Sequence, residues 1–403
     1  MNTNEQFEAV LAECRTLFAK KLHDYLSNGY YFKQMADIDL SPTSYSSPNN
    51  TSTNGWKPLG KYDEEWNEIA FKGHYDGNGK IINNLTSSSD LENYNPSLFG
   101  VISNSSINNL SIENVNINGY AYAGALCGTA INSTVDYCQS SGNIACQQQC
   151  AGGLIGYIEE MINITNSSST ANITLSTSQW DDCNAGGLLG YVDDGIISNC
   201  HANGTIEGVG RSIGGLIGVV ADGTVNYCST NGQIIRAGSK AGGLIGETYY
   251  SSVNIDGCHC DNVTIEPHPD LTDPSEWIGG VIGGMVGMGS VVTDCYSSGN
   301  IKGGYYIGGV IGYNMYYDDA YVDNCHSSCT IIADEDAGGV IGYNNCGDVT
   351  NCYSSSTITT HLRGGGVIGY NSAGTYSNLN FNGIVHEDGG DHTRTVGFDN
   401  IDL

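Results

Sequence analysis

Residues 151–158 read AGGLIGYI, and this octapeptide decides the fold because close copies of it recur along the chain. They are AGGLLGYV from Ala185, IGGLIGVV from Ile213, AGGLIGET from Ala241, IGGVIGGM from Ile278, IGGVIGYN from Ile307, AGGVIGYN from Ala337 and GGGVIGYN from Gly364. Their first glycines, Gly152, Gly186, Gly214, Gly242, Gly279, Gly308, Gly338 and Gly365, are spaced by 34, 28, 28, 37, 29, 30 and 27 residues. A base period near 28 with occasional insertions marks a solenoid whose loops grow while the stacked framework stays fixed. Gly124 to Gly128 and Leu98 to Gly100 continue the period upstream as degraded copies.

A second ladder follows each glycine block. Cys138, Cys200, Cys228, Cys258, Cys295, Cys325 and Cys352 hold one register, with Ser167 in that slot between the first two. In the outermost coils Leu110 and Leu379 take the same place. The slot therefore asks for a small or medium apolar group pointing inward.

Each coil carries three short apolar segments, such as Gly215 to Val220, Thr224 to Cys228 and Gly232 to Ile235, separated by Asp-Gly and Asn-Gly turn signals. That pattern predicts an all-β fold, a three-faced parallel β-helix of about ten coils. Parallel crossovers favour the right hand. At ~4.8 Å per rung the rod is about 50 Å long.

The repeats resemble the GLUG-motif family of bacterial repeat proteins, whose Gly-Leu-any-Gly core is matched by Gly153-Leu154-Ile155-Gly156 and Gly215-Leu216-Ile217-Gly218. The resemblance runs from about Tyr30 to Leu379. It includes YYFKQMADIDLS (Tyr30 to Ser41), WKPLG (Trp56 to Gly60) and FKGHYDGNGKIINNLT (Phe71 to Thr86), which look like the opening of such arrays. It implies a large secreted or surface-attached bacterial protein, adhesin-like, or the non-catalytic repeats of a protease. The domain reading is an N-terminal cap over 1–29, lead-in and first coils over 30–100, the repeat solenoid over 101–380 and a closing segment over 381–403.

Asn4 to Asn28 is different in kind. Phe7, Val10, Leu11, Cys14, Leu17, Phe18, Leu22, Tyr25 and Leu26 share one helical face, which predicts an amphipathic helix capping the open solenoid end. No apolar h-region follows Met1 and no run of 18 apolar residues occurs, so neither a signal peptide nor a membrane anchor is read from this chain. The resemblance nevertheless implies an extracellular or cell-surface location.

Fifty-six glycines, seven prolines and a formal charge of -29 fit many tight turns on an acidic rod. Only Arg211, Arg236, Lys240, Lys302, Arg363 and Arg394 are basic beyond residue 80. This excludes a nucleic-acid footprint and attraction to anionic lipid. The seven in-register cysteines read as a buried thiol ladder, since stacked parallel side chains do not present sulfur to sulfur. Of the remainder, Cys150 and Cys183 are the pair best placed for a bridge.

Cys200-His201, Cys258-His259-Cys260 and Cys325-His326 invite a metal or a cysteine nucleophile. Strand alternation turns each histidine outward, and two rungs between His201 and His259 span ~9.6 Å, too far for one zinc. No metal site is assigned. Asp181-Asp182, Asp193-Asp194, Asp318-Asp319 and Asp334-Glu335-Asp336 are loops where Ca²⁺ could bind, and no other cofactor is called for. With so few basic residues in the array, no catalytic residues are assigned and the chain is expected not to be an enzyme. A polysaccharide lyase or hydrolase on a β-helix is the second alternative.

The surface signal is aromatic. Tyr157, Tyr191, Tyr313, Tyr343 and Tyr370 follow the glycine block in register, the last three trailed by Asn314, Asn344 and Asn371. Stacked, they form ladders that stabilise a flat face or hold a sugar ring or protein partner. Strict alternation puts Ile155, Ile217, Ile245, Ile282, Ile311, Ile341 and Ile368 beside the tyrosines as an exposed contact stripe, whereas a bulge at the glycines turns them inward. Trp180 and Trp277, in insertion loops, are further candidate ligand anchors. The expectation is a surface module binding glycan or a surface protein, with self-association as a further partner mode. A structural rod, fibre or phage-tail component is the alternative.

Overall fold

The computed structural model describes residues 6–9, 29–41, 55–62, 68–88, 95–175, 183–271, 275–315 and 320–399. They form an all-β parallel solenoid of about ten turns, with no helix among the described residues. A full coil is built from five short strands rather than three. In one coil these are Ser212–Gly214, Ile217–Val220, Gly223–Asn226, Ser229–Asn231 and Ile234–Ala237. The glycine strands stack into an eight-stranded parallel sheet and the following strands into an eleven-stranded one; the other three strands of every coil join one large bent sheet.

The bend has a local cause. Immediately before the inward slot the backbone enters the left-handed region, at Asn109, Tyr137, Asn166, Asn199, Tyr227, Gly257, Asp294, Asn324, Asn351 and Asn378, with φ between 49° and 60°. Asparagine, aspartate and glycine tolerate that conformation best, and they fill eight of these ten positions. From Tyr137 to Asn351 each corner keeps its ladder hydrogen bond, as in Asn199 N to Asn226 O (3.1 Å) and Tyr227 N to Asp256 O (2.9 Å). The sheet therefore turns without breaking. The side chain after the corner points inward, and the seven ladder cysteines and Ser167 are fully buried.

The glycine blocks explain themselves by backbone contact. A Cβ on Gly214 would lie 1.8 Å from Ile217 O and 2.7 Å from Gly246 N. The chain doubles back so tightly that only hydrogen fits.

An exposed isoleucine stripe does not form. Ile155, Ile217, Ile245, Ile282, Ile311, Ile341 and Ile368 are all fully buried. Two successive amides share one carbonyl at the bend: Leu154 N and Ile155 N both donate to Leu188 O (2.8 and 3.2 Å), and Leu216 N and Ile217 N both donate to Leu244 O (2.9 Å each). That bulge breaks alternation and turns both side chains inward.

At the N-terminal end, Gln6–Ala9 is a strand pairing in parallel with Tyr31–Gln34, which corrects the helix expected there for those four residues. An open sheet edge offers unpaired hydrogen-bonding groups, and an added strand satisfies them. The rest of the expected helix lies outside the described residues. Tyr31–Gln34 and Ile38–Asp39 pair in turn with His74–Asn83, so the lead-in already belongs to the solenoid. Trp56 is buried there, its indole N–H donating to Leu98 O at 2.9 Å. At the other end Ile384–Glu387 forms an antiparallel hairpin with Gly390–His392, and Val396–Asp399 adds the last strand to the eleven-stranded sheet.

Candidate functional site

The tyrosines following the glycine blocks share one column of the eleven-stranded sheet. In order it reads Thr129, Tyr157, Tyr191, Val219, Glu247, Gly284, Tyr313, Tyr343 and Tyr370. The structure brings these tyrosines together as two stacks, not one. Tyr122, Tyr157 and Tyr191 stack at centroid distances of 4.7 and 5.2 Å, and Tyr313, Tyr343 and Tyr370 at 4.9 and 4.8 Å. All five expected tyrosines are half-buried. Burial pushes the Tyr313 phenol up to about 12, with Tyr343 adding to it, and raises Tyr157 and Tyr191 in the same direction. The asparagines that trail the second stack point inward and are buried, one linked to the next.

A neighbouring column, just ahead of each glycine pair, runs Cys150, Asn184, Ser212, Lys240, Trp277, Tyr306, Asp336 and Arg363. Its first four members are extended. From Trp277 onward all four adopt positive φ, at 57°, 59°, 54° and 56°. Holding such bulky residues there costs about 1–3 kcal/mol each, so surrounding contacts must impose it. For Trp277, Tyr306 and Arg363 those contacts are with the tyrosine stack, and for Asp336 they are with Arg363. Trp277 lies over Gly284, which has no side chain to obstruct it, and stacks on Tyr313 at 4.6 Å. Tyr306 meets Tyr313 and Tyr343 edge-on at 5.0 and 5.2 Å, and the Arg363 guanidinium stands 5.2 Å over the Tyr370 ring. Arg363 also donates to Asp336 and Glu335, each at 2.8 Å. Burial holds the Asp336 carboxyl at about 6 although Arg363 pulls it down.

The gap between the two stacks holds an ionic cluster. Glu247 is only 2% exposed; it contacts Lys240, accepts from Ser212 Oγ at 2.8 Å and lies 3.7 Å from Arg211 Nε. The Lys240 ammonium stands 4.5 Å over the Trp277 ring, so the second aromatic run is cation-capped at both ends.

A third ladder was not foreseen. His259, Tyr296, His326 and Tyr353 stack at 5.0, 5.0 and 4.8 Å with planes within 13° of parallel, and Tyr353 is exposed. The available signal was the aromatic residue after each cysteine in four successive coils. His201 continues this line as a hydrogen bond to Ser229 Oγ (2.7 Å), so His201 and His259 are two rungs apart. Burial lowers the His326 pKa, and burial with the charge of His259 lowers that of His201.

Of the other candidates, Trp180, Asp181-Asp182 and Asp318-Asp319 lie outside the described residues. Cys150 carries a free thiol whose partner in the next coil is Asn184, at 3.8 Å, rather than Cys183, because the register aligns Cys150 with Asn184. Among the described residues no three His, Cys, Asp or Glu side chains converge as a metal site.

Fold and surface together define a parallel β-solenoid built on a glycine-bulge repeat and presenting stacked aromatic columns. The GLUG motif matches residues 147–174, 181–207 and 334–359, so the chain carries at least three GLUG repeats. Halomucin of Haloquadratum walsbyi is 31% identical over 145 residues, 35% of this chain and 2% of halomucin. A candidate Gly-rich membrane protein of Evansella cellulosilytica is 37% identical over 111 residues, 27% of this chain and 12% of that protein. The chain thus spans a small fraction of these relatives. A candidate immunoglobulin A1 protease from Bacteroides ovatus has a similar structure at 19% identity and TM-score 0.46, over 66% of this chain and 81% of that one. A structure described as an IgA1 protease matches at 18% and 0.45, over 69% and 20%. The expectation that the chain is not an enzyme is corrected by these names, since both similar structures are described as immunoglobulin A1 proteases; at this distance they carry no argument about chemistry here.

Proposed function

We propose that this chain is a binding module of a surface-exposed protein, engaging glycan or a surface protein through the aromatic face at Trp277, Tyr313, Tyr343 and Tyr370. The observation that carries the reading is the run of left-handed residues from Trp277 to Arg363, three of which, Trp277, Tyr306 and Arg363, lay their side chains against the tyrosines. Strain of this kind concentrates where surfaces do work. The names of halomucin and of the Gly-rich membrane protein support a surface or membrane-associated setting.

A purely structural role has one observation in its favour: the stacked rings occupy one another's faces, leaving edges and phenol oxygens to a ligand. The test is retention of the purified chain on a panel of polysaccharides and surface proteins, comparing wild type with Tyr343→Ala and Trp277→Ala. Binding lost with the melting temperature nearly kept supports the proposal. Unchanged retention by both folded variants, or no retention by wild type, sinks it in favour of the structural role.

A further inference from the structure

Six of the buried thiols occupy successive coils without interruption: Cys200, Cys228, Cys258, Cys295, Cys325 and Cys352. Their register is set by the backbone. Ser229 N donates to Cys200 O (3.0 Å), His259 N to Cys228 O (3.0 Å), Tyr296 N to Cys258 O (3.1 Å), His326 N to Cys295 O (3.0 Å) and Tyr353 N to Cys325 O (3.1 Å). Each sulfur therefore sits one rung from the next, and Cys228 N donates to Cys258 Sγ at 3.4 Å across one such step. Every one also reaches the carbonyl two residues before it, as Cys228 Sγ does to Asn226 O at 3.2 Å and Cys352 Sγ to Thr350 O at 3.1 Å.

This spacing is wrong for one chemistry and right for another. A disulfide wants Cβ atoms about 3.8 Å apart and a torsion near 90°, whereas parallel rungs give ~4.8 Å and side chains pointing the same way. Two metal–sulfur bonds of ~2.3 Å laid end to end span about 4.6 Å, close to one rung. The ion then lies on a line parallel to the rod axis with the Cβ–S bonds roughly perpendicular to it, as two-coordinate thiolate binding requires.

We propose that this column is a binding site for soft monovalent cations such as Cu(I) or Ag(I), each held linearly between sulfurs of adjacent coils. Thiolate selects such ions over hard ones. The exchange balances: one cation enters a gap, one thiol proton leaves, an S–H bond is replaced by two S–metal contacts, and no oxidation state changes. Net charge inside the core is unaltered, so burial, which penalises a bare thiolate, does not penalise the metallated column. Tetrahedral zinc is not served, in line with the lack of any three-donor cluster among the described residues. Entry is from the C-terminal end. There the next slot holds half-buried Leu379, and 375–378 before it are exposed, so fraying of one coil opens the column at Cys352.

The test is an anaerobic titration of the reduced, full-length chain with Ag(I), counting ions bound and protons released, with far-ultraviolet circular dichroism as the fold control. Six thiols make five gaps. Cys295→Leu divides them into runs of three and two and leaves three gaps, so it should bind two ions fewer than wild type. Leucine fills this slot naturally at Leu110. Serine fills it at Ser167, so Cys295→Ser is the second variant should leucine fail to fold. Cys138→Leu is the control, because Ser167 isolates Cys138 from the run and its loss should cost no gap. Equal counts for wild type and both Cys295 variants, or uptake that appears only as the β-sheet signal is lost, overturns the proposal.

Discussion

Asn344 tests whether buried amides hold the C-terminal coils together. Its Nδ2 donates to Asn371 Oδ1 and to Gly347 O, both at 2.9 Å, and its Oδ1 accepts from Asn314 Nδ2 (2.8 Å) and Gly347 N (3.2 Å). In upstream coils the same inward column holds Val192, Val220 and Met285, so valine fits the space. Asn344→Val removes four hydrogen bonds worth about 1 kcal/mol each, and the expected loss is about 4 kcal/mol. Asn314→Val removes one such bond and should cost about 1 kcal/mol. Asn371→Val removes three, including 2.8 Å to Gly374 O and 3.0 Å to Asp399, for about 3 kcal/mol. The triple variant loses six distinct bonds, because the two amide–amide links are shared, and should fall about 2 kcal/mol short of the additive value. Because a repeat array need not unfold in one step, the assay is urea unfolding together with hydrogen exchange of the strand Ile341–Asn344. An Asn344→Val loss under about 1 kcal/mol, or a strictly additive triple, would refute the reasoning.

Gly214→Ala should destabilise by more than about 4 kcal/mol or abolish folding, since its methyl group would collide with backbone on both sides; circular dichroism and melting temperature read this out. Glu247→Ala leaves Lys240 and Arg211 without their buried counter-charge and should cost about 3 kcal/mol, much of it recovered by adding Lys240→Met, which denaturant midpoints check. Asp336 has its folded pKa raised from 3.8 to about 6, so the native state holds this proton more tightly than the unfolded chain. Its contribution is therefore most favourable below about pH 4 and is lost as pH rises to about 6, and Asp336→Asn should flatten that part of the stability profile measured by urea unfolding.

How much of this was legible from sequence differs by residue. The 28-residue period and the inward slot could be read because each repeats a constraint that one residue type satisfies in most coils. The corner was harder. Asn109, Asn199, Asn324, Asn351 and Asn378 stand before the slot in plain view, yet tyrosine at Tyr137 and Tyr227 and aspartate at Asp294 obscure the shared positive φ. The bulge that buries Ile217 leaves no residue signature beyond the glycines around it. It is a property of two amides sharing Leu244 O, which only the stacked neighbour supplies.

The candidate site was legible in its members and not in its grouping. Counting residues aligns Tyr157 with Tyr343 and sets Val219, Glu247 and Gly284 in the slot between them, but it does not reveal what fills the space those three leave. Nor does it reveal that Trp277, a residue of an insertion loop, leaves that loop to fill the place Gly284 vacates. The absence of a side chain at one position and an indole seven residues earlier are a single event, and the left-handed backbone at Trp277 is what links them. Tyr306, Asp336 and Arg363 repeat that conformation in the next three coils, although their chemistries share nothing else. Trp277, Tyr306 and Arg363 rest directly on the stack, and Asp336 is tied to it through Arg363, so the stack beneath sets the conformation. For that reason, removing Tyr313 or Tyr343 should disturb the covering residues more than removing any one cover disturbs the stack.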